Sequence, residues 1–307
     1  MAYPLSAGVP AQSGTFIPQL WAGKWLEKFY ASSVLTAIAN TDYEGMIAQQ
    51  GDTVNIRTVP DIQIRDYVAG QNLVYERPDS PIVTLNINKG KYFSPVIDDV
   101  IAVQSDLDQM DAWTSDAAEQ MKIAVDRDVL GSIPTDSAIT TRTKGTTAGA
   151  ISGNINLGTT GSAVTLTKSN IIDKLLDLGQ VLDEANIPET GRWVVMPAWA
   201  VAMIKKSDLK DASLTGDGSS ILRNGRVGMI DRFTIYMSNL LPPVSDSGTK
   251  FYIMAGHKVG FTFASQITKV ETLRAESTFG NILRGLKVYG YKVVKGDAIG
   301  LLYVAQG

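Results

Sequence analysis

Two short segments of the chain alternate with a period of two, and the stretch between them follows no period at all. In the first, Asp52 to Val59, the side chains of Val54, Ile56 and Thr58 point one way and those of Asn55 and Arg57 the other. In the second, Ile82 to Lys89, the residues Val83, Leu85 and Ile87 share a face. Period two places a half-buried strand at each end. The connection is polar and dense in charge, with Arg65, Asp66, Glu76, Arg77 and Asp79 beside Gly70 and Pro78. A hairpin turn uses about 2–5 residues, and a much longer connection inside a compact domain is usually functional or disordered. The segment therefore predicts an arm that projects from the body.

The rest of the chain supplies that body. Met1 to Phe16 is rich in Gly, Pro, Ser and Ala and reads as an extended N-terminal arm. Ile17 to Ala39 carries Leu20, Trp21, Trp25, Leu26 and Phe29 near helical spacing, with Pro18 tolerable in a first turn, and predicts a short amphipathic helix. A long helix follows. Ser105 and Asp108 resemble a capping box, and Leu107, Met110, Ala117, Met121, Ala124 and Val125 recur at helical steps before Gly131 and Pro134 end it. Ile133 to Thr167, dominated by Thr, Gly, Ser and Ala, is the expected domain boundary. A second helix runs from Ser169, as N-cap, to Asn186, with Ile172, Leu175, Leu176, Gly179 and Leu182 as its apolar stripe and Pro188 beyond its end. Arg192 to Met196 is a short apolar strand, and Pro197 opens a helix to Lys206. Asp211 to Gly228 is a Gly- and Ser-rich loop. Strands are expected at Phe233 to Met237, Phe251 to Met254, Ile267 to Arg274, Leu286 to Val294 and Ile299 to Val304. Long helices and separated strands make the fold class α+β.

The residues exclude most chemistry. The chain has no cysteine, which removes disulfides, thiolate nucleophiles and cysteine-ligated metals. Its one histidine, His257, has no nucleophile elbow to serve and cannot build a zinc site alone. Gly216 and Gly218 begin like a phosphate loop, but the third glycine and the Gly-Lys-Ser/Thr ending are missing, so a surface loop is the reading. Asp98, Asp99, Asp106, Asp108 and Asp111 lack the Gly and Glu of a calcium loop, and Asp106 and Asp108 suit a helix N-terminus. Asp126, Arg127 and Asp128 read as ion-pairing or interface residues rather than a catalytic set. No cofactor is implied. The net charge of −3 and the lack of a basic run argue against a dedicated nucleic-acid binder, though not against a container whose wall faces nucleic acid. No apolar run reaches the roughly 18 residues of a membrane span. The first residues lack the pattern of a secretory signal, so a cytoplasmic site of synthesis is expected.

The order of these parts is more specific than any one of them. Six segments read like the HK97-like major capsid proteins of tailed bacteriophages: GDTVNIRTVP at Gly51 to Pro60, TLNINKGKYFSPVIDDV at Thr84 to Val100, AVDRDVL at Ala124 to Leu130, RWVVMPAW at Arg192 to Trp199, GMIDRFTIYMSNLLP at Gly228 to Pro242 and VETLRAESTFGNILRGLKVYGYKVV at Val270 to Val294. The chain resembles that family over nearly its whole length.

The resemblance implies an HK97-like fold in four parts: an N-terminal arm and short helix (1–46), an extended loop (47–93), a peripheral domain with its spine helix (94–132 and 265–296), and an axial domain (133–264 and 297–307). It implies a non-enzymatic shell subunit that forms pentamers and hexamers around double-stranded DNA, contacted without sequence preference. The other implied partners are a scaffolding protein, a portal and a decoration protein. The location is the virion, assembled in the host cytoplasm with no membrane. The candidate intersubunit contacts are Arg57, Arg65, Asp66, Glu76 and Arg77. Some family members crosslink a loop lysine to an asparagine, but Lys89 and Lys91 fall at the loop's base, so that chemistry is not carried over. An encapsulin-type compartment enclosing enzyme cargo is the alternative on the same fold. A hydrolase with an acidic site is the alternative from another class.

Overall fold

The structure is a computed structural model that describes residues 28, 30–43, 53–60, 62–99, 109–207, 228–276 and 278–307. Its centre is a mixed seven-stranded sheet, built from β5 (Val164–Leu166), β6 (Arg192–Met196), β7 (Met229–Ile230), β8 (Phe233–Met237), β9 (Val244–Ser245), β10 (Thr249–His257) and β13 (Ile299–Gln306). The strand order is β5-β13-β10-β6-β8-β7, with β9 pairing the start of β10. Pairing is antiparallel for β10 with β13 and with β6, and parallel for β6 with β8 and β13 with β5.

Both faces of this sheet are covered, which explains why β6 is continuously apolar from Trp193 to Met196 rather than alternating. Val194 and Met196 of β6, Ile253 and Ala255 of β10, and Leu302 and Val304 of β13 face one core. There they meet Leu175, Leu178 and Leu182 of one helix (Ile171–Glu184) and Ala200, Val201 and Ile204 of another (Ala198–Lys206). Trp193, Val195, Met254 and Leu301 face a second core. It is completed by Val125, Val129 and Leu130 of the long helix Gln109–Ser132 and by Phe261, Phe263, Tyr289 and Val293. The helices are numbered α1 (Leu35–Ile38), α2 (Gln109–Ser132), α3 (Ile171–Glu184) and α4 (Ala198–Lys206).

The second sheet is a long antiparallel hairpin of β11 (Phe261–Arg274) and β12 (Gly280–Val293), with a register shift between Gln266 and Thr268. β3 (Lys89–Phe93) and β4 (Val96–Asp98) pair on the far side of β12. β1 (Thr53–Arg57) and β2 (Ile82–Asn86) form a separate two-stranded ribbon, in register from Thr53 opposite Asn86 to Arg57 opposite Ile82. Among the described residues no helix is long and apolar enough to cross a membrane.

Three sequence expectations need correction. The helix expected over Ile17 to Ala39 is helical only at Leu35–Ile38 among its described residues. Two carboxylates of α2 draw the chain out instead. Asp116 accepts from Lys28 Nζ and the Tyr30 hydroxyl, each at 2.7 Å, and buried Asp126 accepts from the backbone N–H of Val34 at 2.9 Å. Ten helical residues rise about 15 Å. Four extended residues span nearly that distance, and four helical ones less than half of it. The other aromatic residues of that segment, and the Ser105 and Asp108 cap, lie outside the described residues.

The second correction is the start of α3. Ser169 is not its N-cap, for its hydroxyl pairs with that of Thr167 at 2.9 Å. Asn170 precedes the helix, and its side chain accepts from Thr167 N–H at 2.8 Å and donates to Thr165 C=O at 2.9 Å. The third is the stripe of α3. Leu176 is 46% exposed, while Leu178 and Val181 are fully buried. The inward face is Ile171, Leu175, Leu178 and Leu182, and Ile172 is only partly buried at its edge.

Candidate intersubunit surfaces

The β1–β2 ribbon extends into an arm whose residues, among those described, are exposed from Ile62 to Ile82. The ladder ends at Arg57 and Ile82 and is prolonged by Thr58, whose N–H and hydroxyl both reach the Pro81 carbonyl, at 3.1 and 2.7 Å. Beyond it the arm is held by its own side chains. Glu76 accepts from the Gln63 backbone N–H at 3.0 Å and pairs with Arg65 at 3.7 Å, and a turn closes from Gln71 N–H to Val68 C=O around Gly70. Of the residues predicted as contacts, the structure brings Arg65 and Glu76 together. Asp66 and Arg77 are exposed on the same arm. Arg57 sits apart, at the arm's base on β1, where it lines a groove with Asn40, Tyr43 and Thr262 of the body.

Sequence reasoning singled out the arm's charges and missed its apolar side chains. Ile64 and Tyr75 are about nine-tenths exposed, and Ile62, Tyr67, Val68, Leu73 and Val74 also stand in solvent. A signal was present, since Ile62/Ile64 and Leu73/Tyr75 repeat at a two-residue step, but the surrounding charges mask it. A contiguous set of exposed large apolar residues marks an interaction surface.

A second surface lies on the β11–β12–β3 sheet. Register puts Lys269, Leu286 and Tyr92 in one row and Glu271 beside Arg284 in the next. These residues line a groove of 480 Å³. Tyr92 is 80% exposed, and Leu286, Val96 and Leu273 are also exposed on this sheet, with Phe279 near the hairpin tip. Arg284 and Glu271 form an ion pair in its middle.

Where the arm joins the body, Lys89 at the start of β3 reaches three ways. Its ammonium donates to Asp128 of α2 at 2.9 Å and to the Tyr291 hydroxyl of β12 at 2.6 Å, and it lies over the Tyr291 ring. Tyr289 donates to the same Asp128 oxygen at 2.9 Å. Burial disfavours the charge on Lys89, but the bonds to Tyr291 and Asp128 outweigh it and raise its pKa. Burial likewise works against the Asp128 carboxylate, and Lys89 and Tyr289 more than offset it. Burial and Asp128 together push the Tyr289 phenol well up.

The other sequence candidates have structural roles. His257 accepts from the Val259 N–H at 3.2 Å through Nδ1 and caps a short turn. Asp99 pairs with Arg274 across the sheet end. Asp126 anchors the N-terminal segment, and Asp128 belongs to the Lys89 cluster. Gly216, Gly218, Asp106 and Asp108 lie outside the described residues. Among the described residues no group of acidic or histidine side chains is placed to hold a metal ion.

Comparison with known proteins points the same way. The family described as phage capsid protein matches residues 82–304. A solved structure from Mycobacterium phage Che8 is similar over 94% of this chain and 97% of its own, at 28% identity and a TM-score of 0.76. The capsid of cyanophage P-SCSP1u covers 95% of this chain and 94% of its own, at 16% identity and a TM-score of 0.73. The capsid of a native GTA particle covers 98% and 100%, at 17% identity and a TM-score of 0.67. These last two show the shared fold. No curated protein matches the chain.

Proposed function

The chain belongs to the phage capsid protein family, with the HK97-like fold, and on that premise we propose that it is the major capsid subunit, assembling as pentamers and hexamers into an icosahedral head around double-stranded DNA. As a capsid protein it is structural rather than enzymatic, and its place is the virion shell. The observation that carries the assembly reading is the arm. Its apolar side chains belong to none of the cores formed by the described residues, and burying one such side chain fully contributes about 1.5–3 kcal/mol. A neighbouring subunit is the partner that repeats at every position of a shell, and a closed shell of identical chains needs heterologous contacts that close.

The apolar residues supply contact area. The charges Arg57, Arg65, Asp66, Glu76 and Arg77 set register more than affinity. The β11–β12–β3 groove, with its exposed Tyr92 and Leu286, is a surface of fitting character on the receiving side. The peripheral domain comprises 94–132 and 265–296, and the axial domain 133–264 and 297–307. Further partners are a scaffolding protein, a portal and a decoration protein, and assembly takes place in the host cytoplasm. The test is sedimentation and negative-stain microscopy of the full-length protein, alone and with a scaffolding protein, followed by nuclease protection of any enclosed DNA. Closed shells or capsomers are expected. A monomer under all these conditions contradicts the assignment.

A further inference from the structure

The arm's root meets the body through several contacts, including the close approach of Asn86 to Gly290 and the pairing of Lys89 with Tyr289 in the β3–β12 ladder, and two side-chain clusters among them differ in kind. One is a small apolar cluster in which Ile56 of β1, Leu85 of β2 and Ile87 pack against Ala264 of β11. The other is the polar cluster at Lys89, two residues beyond Ile87, which ties the chain to α2 through Asp128 and to β12 through Tyr291. A single point of attachment lets a thin ribbon swivel, and a second one, off the first axis, fixes its direction.

We propose that Lys89, Asp128, Tyr289 and Tyr291 form a clamp that sets the direction in which the arm leaves the body. Lys89 and Asp128 are positioning residues for the arm, and this role rests on the reading of the arm as an intersubunit contact. The geometry suits a clamp better than a stabilising core pair. Lys89 and Asp128 keep about a third of their side-chain surface exposed, so the pair avoids the full cost of burying charge. The four residues also come from three elements: Lys89 from β3, Asp128 from α2, and Tyr289 and Tyr291 from β12. Tyr289 is fully buried and aims its hydroxyl at Asp128, which fixes the carboxylate in turn. The lysine therefore meets a preset acceptor rather than a mobile surface acid, the arrangement in which an ion pair carries geometric information.

A clamp of this kind controls where the far end of the arm lies. A small rotation at Lys89 is magnified along the arm to Tyr75, so these four side chains, added to the apolar cluster and the β3–β12 ladder, bear on the neighbour's position and with it on shell curvature.

The test uses the free full-length subunit, so its outcome is separate from that of shell assembly. The chain has no cysteine, so Val74→Cys on the arm and Leu176→Cys on α3 give two unique spin-label sites, both exposed. The distance distribution between them is measured by pulsed electron paramagnetic resonance. One narrow distribution is expected for the otherwise unchanged chain. Lys89→Met and Asp128→Asn should each broaden it at least twofold, and Lys89→Arg, which keeps the charge, should leave it close to the parent. Circular dichroism checks that each variant is folded. Unchanged widths in both clamp variants overturn the proposal. So does loss of folding in both, which would make the cluster a determinant of the fold instead.

Discussion

Gly290 of β12 lies so close to Asn86 at the arm's base that a Cβ built on the glycine would meet the Asn86 carbonyl oxygen at 2.2 Å. The obstructing atoms are backbone, so they cannot swing aside as the end of a long side chain would. The approach seats the arm's root against the second sheet. Gly290→Ala is expected to cost about 1–3 kcal/mol through overpacking. Urea denaturation measures it, and a midpoint equal to that of the parent would mean that β2 can be lifted off β12 freely.

The two adjacent leucines of α3 make a paired prediction. Leu175 is buried and Leu176 is nearly half exposed. Leu175→Ala should lose about 2–5 kcal/mol, the usual range for emptying a core site. Leu176→Ala should stay within about 0.5 kcal/mol of the parent. Equal losses in thermal melting would show that the helix is rotated from the face described above.

Those leucines also show how far the sequence could be read. Helix and strand positions were legible where one period dominates: β1, β2, the run through α2, and the strands from Phe233 onward. The rotation of α3 was not, because Ile172 and Leu176 fit a helical stripe as well as Leu178 and Val181 do. Only the packing against β13 and α4 decides between them. In the described part of the N-terminal segment, the extended run before Leu35 has a related reason. The segment's helical spacing is real, but the decisive partners, Asp116 and Asp126, lie on another element far along the chain. The arm was predicted from the lack of any period, and its charges were named as contacts. Its apolar surface went unread because hydrophobic residues are taken to be inside until a structure leaves them outside. The clamp was invisible in the sequence, since Lys89, Asp128 and Tyr289 share no local spacing.

Glu184 gives a pH prediction. It accepts from the backbone N–H of Ser152 at 2.9 Å and of Ile151 at 2.8 Å, and these bonds hold its carboxyl down at about 2 against an ordinary 4.5. The folded pKa lies below the unfolded one, so the ionised group stabilises the fold fully above about 4.5. That contribution is lost as the pH falls from there towards 2. Glu184→Gln should be less stable than the parent at neutral pH by about 1–2 kcal/mol, and its stability should fall less steeply between those two values. Parallel acid limbs in the two proteins would show that the 149–153 loop does not depend on this charge.

The most direct test of the account replaces Arg65 to Arg77 with a short Gly-Ser turn. The segment lies outside all three apolar clusters of the body. Changing a loop's length alters closure entropy by only about 0.6 kcal/mol per doubling. Its removal should therefore leave a folded subunit with nearly the parent melting temperature. Assembly should respond differently, because the lost contact recurs at every subunit, and even about 1–2 kcal/mol per contact weakens each association roughly five- to thirty-fold. The measurement is shell yield by sedimentation, taken beside the melting curve of the same preparation. The account predicts a normal melt and no shells. Normal shells from a normally melting variant would contradict it, since the arm would then not be the contact that builds the capsid.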